Sequence, residues 1–134
     1  DDNRLLVSLT GVCRFEVVAE QNLATPFRQC SVRYDGFAAD LVTENQGRSV
    51  NRDALITAFR QFLEANNMSA NWDEVDKVPT ENLVNTLSQL APYPAAEKQA
   101  LLEAPDLKSR ADMLIALTEV ALSKQAYGES RTLQ

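Results

Sequence analysis

The stretch from Pro79 to Leu122, PTENLVNTLSQLAPYPAAEKQALLEAPDLKSRADMLIALTEVAL, holds three helical segments together with the punctuation that separates them. From Leu107 onward, apolar residues and a threonine recur at Leu107, Ala111, Leu114, Ile115, Thr118, Ala121 and Leu122, and Met113, Leu117 and Val120 form a second row beside them. A helix apolar over more than half its circumference is either central to a bundle or keeps one face for a partner, and the pattern favours central packing. Ahead of it, Leu83, Val84, Leu87 and Leu90 follow helical spacing, opened by Pro79 or Thr80 and closed by Pro92 and Pro94. Ala95 to Glu103 reads as a short helix that starts at Pro94 and ends before Pro105, where the ring would clash with the preceding turn. Asp106 then caps the long helix, its carboxylate set against the unpaired amides and the positive end of the dipole.

The front of the chain has a different period. Arg4 to Thr10 is rich in β-formers, and Cys13, Phe15, Val17 and Ala19 alternate with Val12, Arg14, Glu16 and Val18, so the first series is expected to face a core. Gly11 interrupts the run as a bulge or bend would. After the connection Gln21 to Pro26, a second and weaker alternation covers Phe27 to Tyr34 and ends at an expected Asp35-Gly36 turn. Residues 43–50 are polar and aperiodic and read as a linker between a β part, 1–45, and an α part, 46–134. Asn51 or Ser49 caps the first helix, which presents Leu55, Phe59, Phe62 and Leu63 on one face and ends near Asn66-Asn67. Ser69 is the expected cap of a short turn carrying Trp72, Val75 and Val78.

Several of these residues carry a resemblance. Lys98-Gln99 followed by Leu101-Leu102-Glu103, the Asp106 cap with Arg110 one turn on, and Leu114-Ile115-Ala116-Leu117 before Glu119 resemble the C-terminal half of the Lon substrate-binding domain, also called the Lon N-terminal domain. Leu9-Thr10-Gly11-Val12-Cys13-Arg14-Phe15 is similar to the "GxxRF" strand of that family, and Pro26-Phe27-Arg28 to the start of its next strand. The stand-alone bacterial members, which carry the domain with no ATPase or peptidase attached, are especially similar. The resemblance runs to about Ala126 but covers the later part of the module, without the family's proline-rich opening strands. It implies a PUA-like β-subdomain, truncated here, followed by a helical bundle. It also implies a cytoplasmic, non-catalytic domain that captures unfolded or exposed-apolar polypeptide, as in the ATP-dependent serine peptidase Lon.

Composition bounds the chemistry. A chain of 134 residues is about one domain's worth and long enough to bury a core. A net charge of −6 argues against a phosphate-backbone footprint, hence against nucleic acid as a partner. No run of about 20 apolar residues suggests a membrane span, and Asp1-Asp2-Asn3-Arg4 is neither a signal peptide nor a natural start. There is no histidine, which removes the commonest general base and metal ligand. The four glycines are isolated, so no phosphate-cradling or dinucleotide loop can be drawn and no cofactor is expected. The two cysteines are expected to be free thiols; Cys13 and Cys30 could oppose one another only if the hairpin centred on Gln21-Asn22, and Pro26 argues for a later centre. Asp73, Glu74 and Asp76 suit the first turn of a helix better than a cation. Ser123 and Lys124 are adjacent on a helix and point about 100° apart, so they cannot form a catalytic dyad. Arg14, Arg28 and Arg33 read as a solvated strand face rather than a basic binding strip.

The resulting expectation is an α+β fold, an incomplete antiparallel β part followed by a four- to five-helix bundle. Its expected function is polypeptide binding, with no metal or catalytic residue; a small carboxylate-dependent hydrolase is the alternative. Tyr34, Phe37, Trp72 and Met113 are the expected contact residues, because aromatic and methionine side chains make adaptable apolar surface. An incomplete β part would also leave a free strand edge, from which self-association is expected.

Overall fold

A computed structural model describes residues 5–42 and 49–132, with side chains described through Gln125. The chain divides into two compact units, Asp1–Glu44 and Asn45–Gln134. The first contains an antiparallel pair, β1 (Glu16–Gln21) and β2 (Gln29–Arg33), followed by a 3-10 helix, Asp35–Leu41. The second contains α1 (Arg52–Ala65), α2 (Trp72–Lys77), α3 (Thr80–Leu90), α4 (Ala95–Glu103) and α5 (Leu107–Thr132). This is the expected α+β order, with Pro79 to Leu122 forming three helices. Among the described residues, no helix is long and apolar enough to cross a membrane.

In the helical unit α5 is the central element and packs against α1, α3 and α4. Its buried stripe is Leu107, Ala111, Leu114 and Thr118, and it meets Leu55 and Phe59 of α1, Leu83 and Val84 of α3 and Leu101 of α4. Met113 and Leu117 of the second row are half-buried against this cluster, whereas Val120 is exposed, as is Leu90 at the end of α3. The helix wheel therefore overstates how much of α5 and α3 is covered. Thr118 is fully buried, yet its hydroxyl is satisfied: it donates to the Leu114 carbonyl at 2.7 Å. With that proton committed, the 2.7 Å contact to Tyr93 makes Tyr93 the donor and Thr118 Oγ1 the acceptor. Burial raises the Tyr93 phenol above its ordinary pKa.

Helix ends follow their caps. Asn51 Oδ1 accepts from the Ala54 amide at 3.1 Å, and Asp106 Oδ1 accepts from the Ser109 amide at 2.7 Å. The Ser109 amide, together with the Ser109 hydroxyl, holds the Asp106 carboxyl below its usual range. The cap of α2 is Asn71 rather than Ser69, with Oδ1 accepting from the Glu74 amide. Two arginines tie the helices together. Arg52 donates to the Val75 carbonyl at 2.8 Å and to Thr80 Oγ1 at 3.2 Å; Arg110 donates to the Leu101 carbonyl at 2.9 Å and to Asn85 Oδ1 at 2.6 Å.

The first unit departs further from expectation. Residues 5–15 have no regular secondary structure, so the strand expected at Arg4 to Thr10 is absent across its described part, where Leu5 and Leu6 are 90% and 99% exposed. β-propensity records fit to a pleated, partly covered surface, and among the described residues no neighbouring strand covers this segment. Cys13, Phe15, Val17 and Ala19 do not face a core; none of the described residues of this unit is buried. The second strand is shorter than Phe27 to Tyr34, and Asp35-Gly36 opens a 3-10 helix instead of a simple turn. The bulge lies at Val17-Val18, not at Gly11: Glu16 pairs with Arg33, Val17 with Val32, then Ala19 with Ser31 and Glu20 with Cys30. Cys30 thus opposes Glu20, and both cysteines are free. The linker reading of 43–50 falls largely on residues 43–48, outside the described residues.

A partly buried clamp organises the unit. Asp40 accepts from the Arg14 amide at 2.9 Å and from its guanidinium at 2.7 and 2.8 Å, joining the lead-in to β1 to the 3-10 helix. The same guanidinium lies 4.7 Å from the centre of the Phe37 ring. Two measurements test these packing assignments. Leu114→Ala should cost about 3 kcal/mol in urea unfolding followed by circular dichroism, while Leu90→Ala should stay within about 0.5 kcal/mol. Asp40→Ala should speed hydrogen exchange at the Arg14 amide by about tenfold or more, because a charged acceptor is lost.

Candidate functional site

One face of the two-stranded sheet carries a row of exposed apolar residues. The register sets Glu16, Ala19, Gln21, Gln29, Ser31 and Arg33 on one side, and Val17, Glu20, Cys30 and Val32 on the other. The bulge turns Val18 to the same side as Val17. Hydrogen bonds agree with this division. Gln21 Nε2 donates to Ser31 Oγ at 2.6 Å and Arg33 to Glu16 at 3.2 Å on the polar face; Arg28 grips both oxygens of Glu20 at 2.6 and 2.8 Å at the end of the other.

Phe15 and Tyr34 extend the apolar face, ring against ring at 6.2 Å in an edge-to-face arrangement. Phe15, Val17, Val18 and Tyr34 are each 51–56% exposed. Side chains of this size normally lose most of their surface in a folded unit, and here they form a contiguous uncovered row. Alternation pointed to Phe15 and Val17; the coverage expected for them is what is missing.

The four residues singled out from the sequence fall in both units. Tyr34 stands on the apolar face, and Phe37 is half-buried under Arg14 in the 3-10 helix. In the helical unit Trp72 is half-buried, with the Arg60 guanidinium 4.5 Å from its ring centre, and Met113 is half-buried against the core. Phe15 and Val17 have a period that reads equally well as core, and simple alternation sets Val18 on the opposite face from Val17, a placement that the bulge changes.

The other candidates are accounted for by local partners. Arg14, Arg28 and Arg33 are each held by a carboxylate, Asp40, Glu20 and Glu16 respectively, so they form no free basic strip. Within the acidic run, Asp73 and Glu74 occupy the first turn of α2, and Glu74 also takes the Lys77 ammonium at 2.6 Å. Ser123 donates to the Glu119 carbonyl of its own helix at 2.9 Å. Among the described residues, no group of three or more cysteines, aspartates and glutamates is placed to hold a metal ion.

Comparison with known proteins agrees with the sequence motifs. No curated protein and no solved structure gives a match. Residues 1–119 match the family described as the ATP-dependent protease La (LON) substrate-binding domain, a non-catalytic module. With most of its length covered by that match, the chain belongs to the Lon substrate-binding domain family.

Proposed function

We infer that the chain is a non-catalytic polypeptide-binding module that takes up unfolded segments or segments with exposed apolar residues. The observation that carries this reading is the uncovered row of Phe15, Val17, Val18 and Tyr34, in a chain whose family is named for binding substrate. Such a row offers apolar contact without a closed pocket, which suits clients that share hydrophobicity rather than a fixed shape. Tyr34 and Phe37 are the proposed contacts in the first unit, Trp72 and Met113 those in the second. Nucleic acid is a poor partner for this unit, because Arg14, Arg28 and Arg33 are each already paired with a carboxylate. The proposed setting is the cytoplasm.

Trp72 is the sole tryptophan and therefore a built-in reporter. Reduced, carboxymethylated α-lactalbumin carrying a fluorescein label should raise its anisotropy on adding the chain, and a tryptophan-free unfolded polypeptide should shift the Trp72 emission, whereas folded α-lactalbumin should leave the anisotropy unchanged. Tyr34→Ala and Phe37→Ala should each weaken binding by about fivefold or more, the effect of losing an interface anchor worth above 1 kcal/mol. Equal binding of the folded and unfolded forms would sink the reading, as would affinity untouched by both substitutions.

A further inference from the structure

Helix α2 is six residues long, and none of them is buried. A helix shorter than about 12 residues is marginal on its own in water, so α2 persists only as far as its surroundings hold it. Its apolar side is Trp72 and Val75, continued by Val78, all three half-buried, with the two valines resting on the core cluster. The cap bond from the Glu74 amide to Asn71 is long, at 3.4 Å. Among the described residues its ion pair, Lys77 with Glu74, is internal and joins it to no other element.

Two arginines of α1 fasten α2, one at each end. Arg60 lies over the Trp72 ring, 4.5 Å from its centre, where α2 begins. Arg52 donates to the Val75 carbonyl at 2.8 Å and to the Asp76 carbonyl at 3.4 Å, in the last turn, where carbonyls run out of intrahelical partners. The segment thus runs back along α1, held at both ends by single side chains.

Its flanks are firm. Asn67, at φ 54°, closes α1 together with a 2.8 Å bond from the Met68 amide to the Leu63 carbonyl. On the other side the Pro79 carbonyl accepts from the Leu83 amide at 3.0 Å and opens α3. The buried core beneath is complete without the segment, because its members come from α1, α3, α4, α5 and Ala91. We propose that residues 69–78 form a strap that detaches from α1 while the rest of the helical unit stays folded, uncovering the apolar seat of Val75 and Val78. Opening needs only the two arginine fastenings and a half-buried apolar contact to give way, whereas unfolding α5 would empty the core. This inference stands whether or not the chain takes up polypeptide.

The sole tryptophan lies in the strap, so its opening can be read apart from global unfolding with no client present. In urea, Trp72 emission should change with a midpoint about 1 M or more below that of far-UV circular dichroism, to which α1 and α5 contribute most. In native conditions the Val75 and Val78 amides should exchange about a hundredfold faster than the Leu114 amide. Arg60→Ala should lower the Trp72 midpoint further and leave the circular dichroism midpoint in place. Coincident midpoints in the unmodified chain would overturn the proposal, as would exchange at Val75 no faster than at Leu114. A fall of both midpoints together in Arg60→Ala would overturn it too, because the stack would then belong to a single cooperative fold.

Discussion

Everything in the helical unit depends on one stripe of α5 being buried along four successive positions, Leu107, Ala111, Leu114 and Thr118. Ala111 lets neighbouring helices approach, and Leu107 and Leu114 fill the space on either side of it. The one polar member of the stripe is tolerated because its hydroxyl never lacks a partner. It gives its proton to the turn below and receives one from Tyr93, on the connection between α3 and α4. A valine of similar shape would fill the same volume but leave the Tyr93 hydroxyl without its acceptor.

Arginines give the bundle its second layer of constraint. Arg110 reaches from α5 to a carbonyl at the end of α4 and to an amide side chain of α3; Arg52 reaches from the start of α1 to α2 and α3. Each takes up backbone or side-chain acceptors near helix ends, where the intrahelical ladder runs out. Orientation of the short helices α2 and α4 is thereby fixed by directional bonds as well as by apolar contact. Neither helix has enough length to be specified by packing alone.

Most of the α part was legible because its signals are local. Pro79, Pro94 and Pro105 mark helix boundaries by excluding helical backbone, and Asn51 and Asp106 satisfy amides within three residues of themselves. The sequence leaves the cap of α2 open between Ser69 and Asn71, because both residue types serve equally and they stand two positions apart. The β part was less legible for a physical reason: a strand is defined by a neighbour, and nothing in Leu5 to Thr10 states whether a neighbour exists. The same ambiguity hid the apolar face. Phe15 and Val17 alternate as core residues do, and periodicity cannot tell a covered face from an open one. The clamp of Arg14 on Asp40 was hidden too, since its partners stand 26 residues apart.

The bulge in β1 bears on how the chain can vary in length. A strand that gains or loses one residue ordinarily turns every following side chain to the other face. Here Val17 and Val18 share a face and jointly oppose Val32, so the extra residue is absorbed where it occurs. Glu16 keeps Arg33 on one side, and Glu20 keeps Arg28 on the other. A relative one residue shorter between these two glutamates could retain both ion pairs and the same apolar face, with a flatter ribbon as the main difference. A gap at this point in an alignment would therefore mark a change in local twist rather than a change in which residues meet a partner.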